Sequence, residues 1–147
     1  MIYVGADHRG FKLKQELVAY LEDRGYKVAD VGTTSEEAAD YPMISEKAAK
    51  KVKEDLNNRG VLICGSGAGV CITANKLKGI RAAVAWNEKM AKSLRNDDNA
   101  NILCLAADYL TADEAKTLTQ AFLDTSFGGE ERYKRRLEEI KAIEQEN

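Results

Sequence analysis

The chain has 147 residues, enough for one domain with a sizeable core that needs neither disulfides nor a metal to hold it. Its 22 basic and 24 acidic side chains leave a net charge of -2, which offers no attraction to nucleic acid or to an anionic membrane surface and points to a small partner. No window approaches the ~20 apolar residues of a membrane span, and Met1-Ile2-Tyr3-Val4 enters a strand without a basic leader or cleavage site, so a cytoplasmic location is expected. Three cysteines without zinc-like spacing fit a reducing compartment. The single histidine, His8, rules out a three-histidine metal centre within one chain. Acid–base chemistry must therefore rest mostly on Cys, Asp, Glu, Lys, Tyr or His8, and neither metal nor organic cofactor is expected.

Ile2 to Ala6 reads as a strand ending in the polar turn Asp7-His8-Arg9-Gly10, after which Phe11, Leu13, Leu17, Val18 and Leu21 recur at helical spacing up to Arg24-Gly25. Tyr26 to Val31 reads as a second strand. Asp40-Tyr41-Pro42 then opens a helix whose buried stripe is Ile44, Ala48, Val52 and Leu56, proline being at home in a first helical turn. Gly60 to Cys64 is a third strand, followed by a glycine loop and a helix from about Val70 to Leu77. A fourth strand is expected over Ala82 to Trp86, a helix over Glu88 to Asn96 and a fifth strand over Ile102 to Leu105. Thr111-Ala112-Asp113-Glu114 is a capping box, and the helix it opens buries Ala115, Leu118, Phe122 and Leu123. After Gly128-Gly129 a charged helix begins at Glu130.

Strands alternating with helices predict an α/β fold: a three-layer αβα sandwich around a doubly wound, mostly parallel five-stranded sheet, Rossmann-like, in the order 2-1-3-4-5 and within one domain, 1–147. Ligands of such sheets bind at the carboxyl ends of the strands where the order reverses, here between the first and third. Those ends carry Asp7-His8 and Cys64-Gly65-Ser66.

The run Val61 to Val70 passes from strand to glycine loop to helix, an arrangement whose backbone N–H groups converge on an anion. Cys64 lies at its hinge, where such donors favour a thiolate; otherwise it is a small core residue. Gly65, Gly67 and Gly69 form G-x-G-x-G rather than G-x-G-x-x-G, which argues against a dinucleotide site. Cys71 and Cys104 read as core packing by position. Asp7 and His8 are either caps of the following helix or members of the crevice. Arg132 and Arg136, four apart, share a helix face that is either solvated or able to grip a phosphate or carboxylate. Asp97-Asp98-Asn99-Ala100-Asn101 reads locally as turn chemistry.

Taken together, Gly5-Ala6-Asp7-His8-Arg9-Gly10, Asp40-Tyr41-Pro42, Ile63 to Gly69 with Ala74-Asn75-Lys76, Gly79-Ile80-Arg81-Ala82, Asn99 to Leu103 and the arginine pair resemble the ribose-5-phosphate isomerase B family, which includes galactose- and allose-6-phosphate isomerases. The resemblance spans the whole chain. It implies metal-free interconversion of an aldose phosphate and its ketose through an enediolate. Cys64 would move the proton between C1 and C2, Ser66 would bond thiolate or substrate, and the N–H groups of Gly65, Gly67, Ala68 and Gly69 would face the developing oxyanion. Asp7 and Tyr41 would hold sugar hydroxyls, with Asp98 also binding substrate, while His8, Arg132 and Arg136 would bind the phosphate. It further implies a homodimer or higher even oligomer in which each crevice is finished by the neighbour, the C-terminal helix crossing the interface. The chain departs from the family pattern at Asp97, which replaces the ring-opening histidine, at Tyr133, at Asp108, where an arginine is frequent, and by the inserted Glu130-Glu131. The reaction expected is ribose 5-phosphate to ribulose 5-phosphate. The alternatives are a six-carbon sugar-phosphate isomerase, for allose or galactose 6-phosphate, and a non-catalytic sugar-phosphate-binding module.

Overall fold

A computed structural model describes residues 1–147. The chain runs β1 (Ile2–Ala6), α1 (Phe11–Asp23), β2 (Val28–Asp30), α2 (Tyr41–Val52), β3 (Arg59–Cys64), α3 (Ala68–Ala74), β4 (Ala82–Val84), α4 (Glu88–Asn96), β5 (Ile102–Ala106), α5 (Ala112–Asp124) and α6 (Glu131–Gln145). Every strand pairing is parallel, and the α/β sandwich is as expected. The order, however, is β2-β1-β3-β5-β4, so the expected order 2-1-3-4-5 is corrected at its last two places. The reason is burial. All five residues of β5 are buried, as a strand paired on both sides and covered on both faces requires, whereas β4 is three residues long with Ala83 and Val84 only half-buried, as suits an edge.

Handedness then sorts the helices. Right-handed crossovers place the connections of strands added in one direction on one face and those of strands added in the other on the opposite face. Accordingly α2 and α3, which lead from β2 to β3 and from β3 to β4, cover one face, while α1 and α4 cover the other together with α5. The strands obey the two-residue period: Val61, Ile63, Leu103 and Leu105 pack with Leu17, Leu21, Leu118 and Phe122, and Leu62, Cys64, Ile102 and Cys104 pack with Ala48, Val52, Val70 and Ala74. Cys64 therefore belongs to the face covered by α2 and α3. The reversal between β1 and β3 survives the corrected order, and with it the crevice at their carboxyl ends.

Several boundaries move. α2 ends at Val52, and Leu56, expected in its buried stripe, is 96% exposed beyond it. Trp86, expected to end the fourth strand, lies past β4 and is exposed. The Thr111 capping box forms in full, the Thr111 hydroxyl accepting from the Glu114 N–H and the Glu114 carboxylate from the Thr111 N–H. An unexpected core member is Lys14, buried in α1, whose ammonium pairs with Asp30 Oδ2 at 2.9 Å and donates to the Thr33 carbonyl. It anchors the loop between β2 and α2. α6 buries none of its side chains, and Glu144 ties it to the body by accepting from the Gly79 N–H at 2.9 Å.

Replacing the fully buried Phe122 by Ala should cost about 3–5 kcal/mol of unfolding free energy, the usual range for emptying an aromatic core site. Leu56→Ala should change it by less than about 0.5 kcal/mol, as for an exposed side chain outside any element. Denaturant titration of both variants checks the corrected end of α2.

Candidate active site

β3 delivers Cys64 to the carboxyl edge of the sheet between its two neighbours. The thiol is buried, and its Sγ accepts a hydrogen bond from the Gly67 N–H at 3.2 Å. Two further bonds fix the turn against β5: the Ala107 N–H donates to the Cys64 carbonyl at 2.9 Å and the Asp108 N–H to the Gly65 carbonyl at 3.0 Å. Gly67 has φ +75°, the left-handed region that lets the chain swing straight into α3, and a side chain there would also crowd Leu105. Ser66 is exposed, with Oγ accepting from the Ala68 N–H at 3.2 Å. The N–H groups of Gly65, Ser66 and Gly69 donate to no group of the chain. They are three oriented donors beside a buried thiol, the arrangement that receives a developing oxyanion.

The rest of the rim comes from β1 and α2. Asp7 is buried at the end of β1, where Oδ1 accepts from the N–H groups of Arg9 (3.0 Å) and Gly10 (3.2 Å), so it does cap the turn into α1, and Oδ2 takes no bond from the chain. His8 Nδ1 lies 3.2 Å from the Ala39 nitrogen and 3.4 Å from the Ala39 carbonyl oxygen. The N–H can only donate, so Nδ1 is the acceptor and the neutral ring carries its proton on Nε2, an assignment made from the bonding network. The Tyr41 ring lies against Gly69, close enough that a methyl group there would overlap it. Arg9, given no role by the sequence, lies flat over Gly65 and forms an ion pair with Asp108. The signal that could have singled it out is its place in the turn directly after His8.

Asp7, His8, Tyr41, Cys64, Gly65, Ser66, Gly67, Ala68 and Gly69 thus share the carboxyl edge of the sheet. The other candidates do not join them. Asp97 and Asp98 follow α4 and precede β5, at the amino edge, while Cys64 is in register with Ala106 at the far end of β5. Four strand steps of ~3.3 Å place the two groups more than about 13 Å apart. α6 begins at that same amino edge, since the Gly128 N–H donates to the Asn96 carbonyl. Arg132 there pairs with Glu130 and stacks on Tyr133, and Arg136 acts on Asp98. Burial, and then the charge of Asp97, push the Asp98 carboxyl up, with Arg136 opposing them. Turn chemistry is real for the asparagines: Asn99 has φ +47° and accepts from Arg95, and Asn101 bridges Arg81 and Gly79. Asp97 accepts from the Asn96 side chain at 2.7 Å.

Beside this amino edge, an apolar groove lined by Ile80, Ala83, Leu94, Ile140 and Ile143 runs between the β4 edge and α6. Cys71 and Cys104 pack beneath the loop as expected, in contact with each other. Their contact holds the Cys71 thiol down at about 7, while burial pushes Cys104 up.

The ribose/galactose isomerase family model matches residues 2–140. Ribose-5-phosphate isomerase B of Escherichia coli is 40% identical, with 98% of this chain and 96% of that protein covered. A probable ribose-5-phosphate isomerase B of Mycoplasma genitalium is 39% identical, with 99% and 96% covered. Among solved structures, ribose-5-phosphate isomerase B of Clostridium thermocellum superposes with a TM-score of 0.94 at 41% identity, covering 99% of this chain and 97% of that one. The Mycoplasma genitalium enzyme with bound ribulose 5-phosphate gives 0.94 at 38% identity, with 99% and 97% covered. A match over nearly the whole chain, in sequence and in fold, assigns it: the chain belongs to the ribose/galactose isomerase family.

Proposed function

We propose that the protein interconverts ribose 5-phosphate and ribulose 5-phosphate, with Cys64 as the base. The observation that carries this reading is a buried thiol flanked by unpartnered N–H donors in the crevice between β1 and β3. A structural neighbour that holds ribulose 5-phosphate supports the choice of sugar. In the forward direction Cys64 Sγ takes the proton from C2 of the open-chain aldose, the negative charge moves to O1, and the free N–H groups of the Gly65–Gly69 loop bond the enediolate. Transfer of the O2 hydroxyl proton to O1 moves the charge to O2, and return of the proton from Cys64 to C1 as the C2 carbonyl forms yields the ketose. A positioned base supplies ~10²–10⁴-fold and donors aimed at the oxyanion a comparable factor. The free Oδ2 of Asp7 and the Tyr41 hydroxyl hold sugar hydroxyls, Ser66 bonds thiolate or substrate, and the Nε2–H of His8 donates to the phosphate.

The second half of the site comes from another copy of the chain. Asp97, Asp98, Arg132 and Arg136 stand more than about 13 Å along the sheet from Cys64, too far for one substrate to touch both sets within a single chain. The unburied α6 and the uncovered groove beside β4 support a homodimer in which these residues reach the neighbour's crevice. There the two arginines complete the phosphate site, and Asp97, beside the Asp98 carboxyl that burial and the Asp97 charge push up, opens the furanose ring. A location in the cytoplasm accords with this chemistry, and no helix is long and apolar enough to cross a membrane.

Incubation with five- and six-carbon aldose phosphates in the presence of a chelator should yield ribulose 5-phosphate fastest. Formation of a six-carbon ketose phosphate alone would reassign the substrate. Cys64→Ala should lower kcat by at least ~10²-fold with substrate binding retained; normal turnover would remove Cys64 from the chemistry.

Mixing inactive Cys64→Ala subunits with inactive Arg132→Ala/Arg136→Ala subunits should restore about a quarter of wild-type activity, because half of the random dimers are hybrids with one intact site of two. No recovery after verified subunit exchange would place both halves of the site in one chain. Asp97→Asn should slow cyclic ribose 5-phosphate more than an acyclic analogue; equal slowing of both would exclude ring opening as its role.

A further inference from the structure

We propose that Arg9 is the cationic substrate ligand that each chain contributes to its own crevice, binding the phosphate group beside His8. This rests on the isomerase reading above and adds a residue to it. The five loops that follow the strands, residues 7–10, 31–40, 65–67, 85–87 and 107–111, contain one Lys or Arg between them, and it is Arg9. The same loops hold Asp7, Glu36, Glu37, Asp40 and Asp108. Among these loops of one chain, Arg9 is thus the one side chain whose full positive charge can attract a phosphate dianion.

Arg9 is placed to do so. Its guanidinium lies over Gly65, the first residue after Cys64, so closely that any side chain at Gly65 would displace it. One Nη group pairs with the Asp108 carboxylate, and no other group of the chain accepts from the remaining side-chain N–H donors. A guanidinium offers five donors in a planar fork, so a carboxylate on one edge leaves the other edge for a phosphate. Both members of the pair are partly exposed, at 54% and 39%, and such pairs contribute little to folding in water. Their geometric cost at Gly65 is better explained by a ligand. Asp108 orients the fork while Arg9 cancels its charge.

The test compares wild type with Arg9→Ala and Arg9→Lys, reading kcat and KM for ribose 5-phosphate together with the inhibition constant of inorganic phosphate. In Arg9→Ala, KM and the inhibition constant should both rise about tenfold, the scale of one charge-assisted hydrogen bond, with kcat changing far less. Arg9→Lys should restore part of the loss, since an ammonium keeps the charge but not the fork. An unchanged KM and inhibition constant would overturn the proposal and leave the pair as a brace between two turns. So would a fall in kcat alone, which would assign Arg9 to supporting the Cys64 loop. Should wild type convert no aldose phosphate, the weaker phosphate binding of Arg9→Ala, read by calorimetry, would still stand, so the two readings fail separately.

Discussion

The rest of the site depends on the hydrogen-bonded corner where β3 ends. β3 lies between β1 and β5 and is covered on both faces, so its backbone cannot move without breaking two ladders. At its last residue the ladder gives way to three local bonds: from Ala107 to the Cys64 carbonyl, from Asp108 to the Gly65 carbonyl and from Gly67 to the Cys64 sulfur. The first two lock the turn to β5. The third fixes the thiol against the loop and spends one N–H on it, leaving others free for a substrate oxygen. On the proposed reading, a base and its oxyanion donors are thus held by one rigid strand end, which would remove most of the reorganisation that catalysis otherwise requires.

The same corner bears on the proposed sharing of the site between two chains. A parallel sheet puts all helix-to-strand entries at one edge and all strand-to-helix exits at the other. The exits hold the thiol, the imidazole and the glycine donors. The arginine pair and the paired carboxylates follow helices, so the topology assigns them to the opposite edge. Bringing them within one chain would need a loop that spans the sheet, and none of the connections does. In the proposed dimer a second copy meets the requirement with no added chain length, and α6, with no buried side chain of its own, is the element left available for it.

Much of this was legible in the sequence, for identifiable reasons. The glycine loop, the Asp-His turn and the crevice between β1 and β3 follow from where short apolar runs stop, and the Thr111 capping box from local hydrogen-bond chemistry. The order of the last two strands was not legible, because a run of apolar residues does not say which neighbour it takes; the difference lay in the length and burial of β5 against β4. Leu56 misled because its spacing from Val52 is helical, yet the helix had already ended. Lys14 was hidden for the opposite reason, since a charged residue on an apolar stripe looks like solvent exposure until a carboxylate and a carbonyl are found for it. For Asp7 the capping reading is the one the hydrogen bonds show: Oδ1 caps the turn, and Oδ2 takes no bond from the chain.

Lys14 also links the core to the chemistry. By holding the Thr33 carbonyl and Asp30 it pins the loop whose far end presents the Ala39 N–H to His8. That N–H makes Nδ1 the acceptor, so the ring carries its proton on Nε2. A neutral imidazole gives direction but little charge, and the exit loops are otherwise acidic. On the proposed reading, charge for the phosphate comes from guanidinium groups, Arg9 within the chain and the arginines of α6 from its neighbour. In the proposed dimer, a substrate gripped at its phosphate by both subunits would present its C1–C2 end to Cys64 only on assembly, which would couple assembly to catalysis.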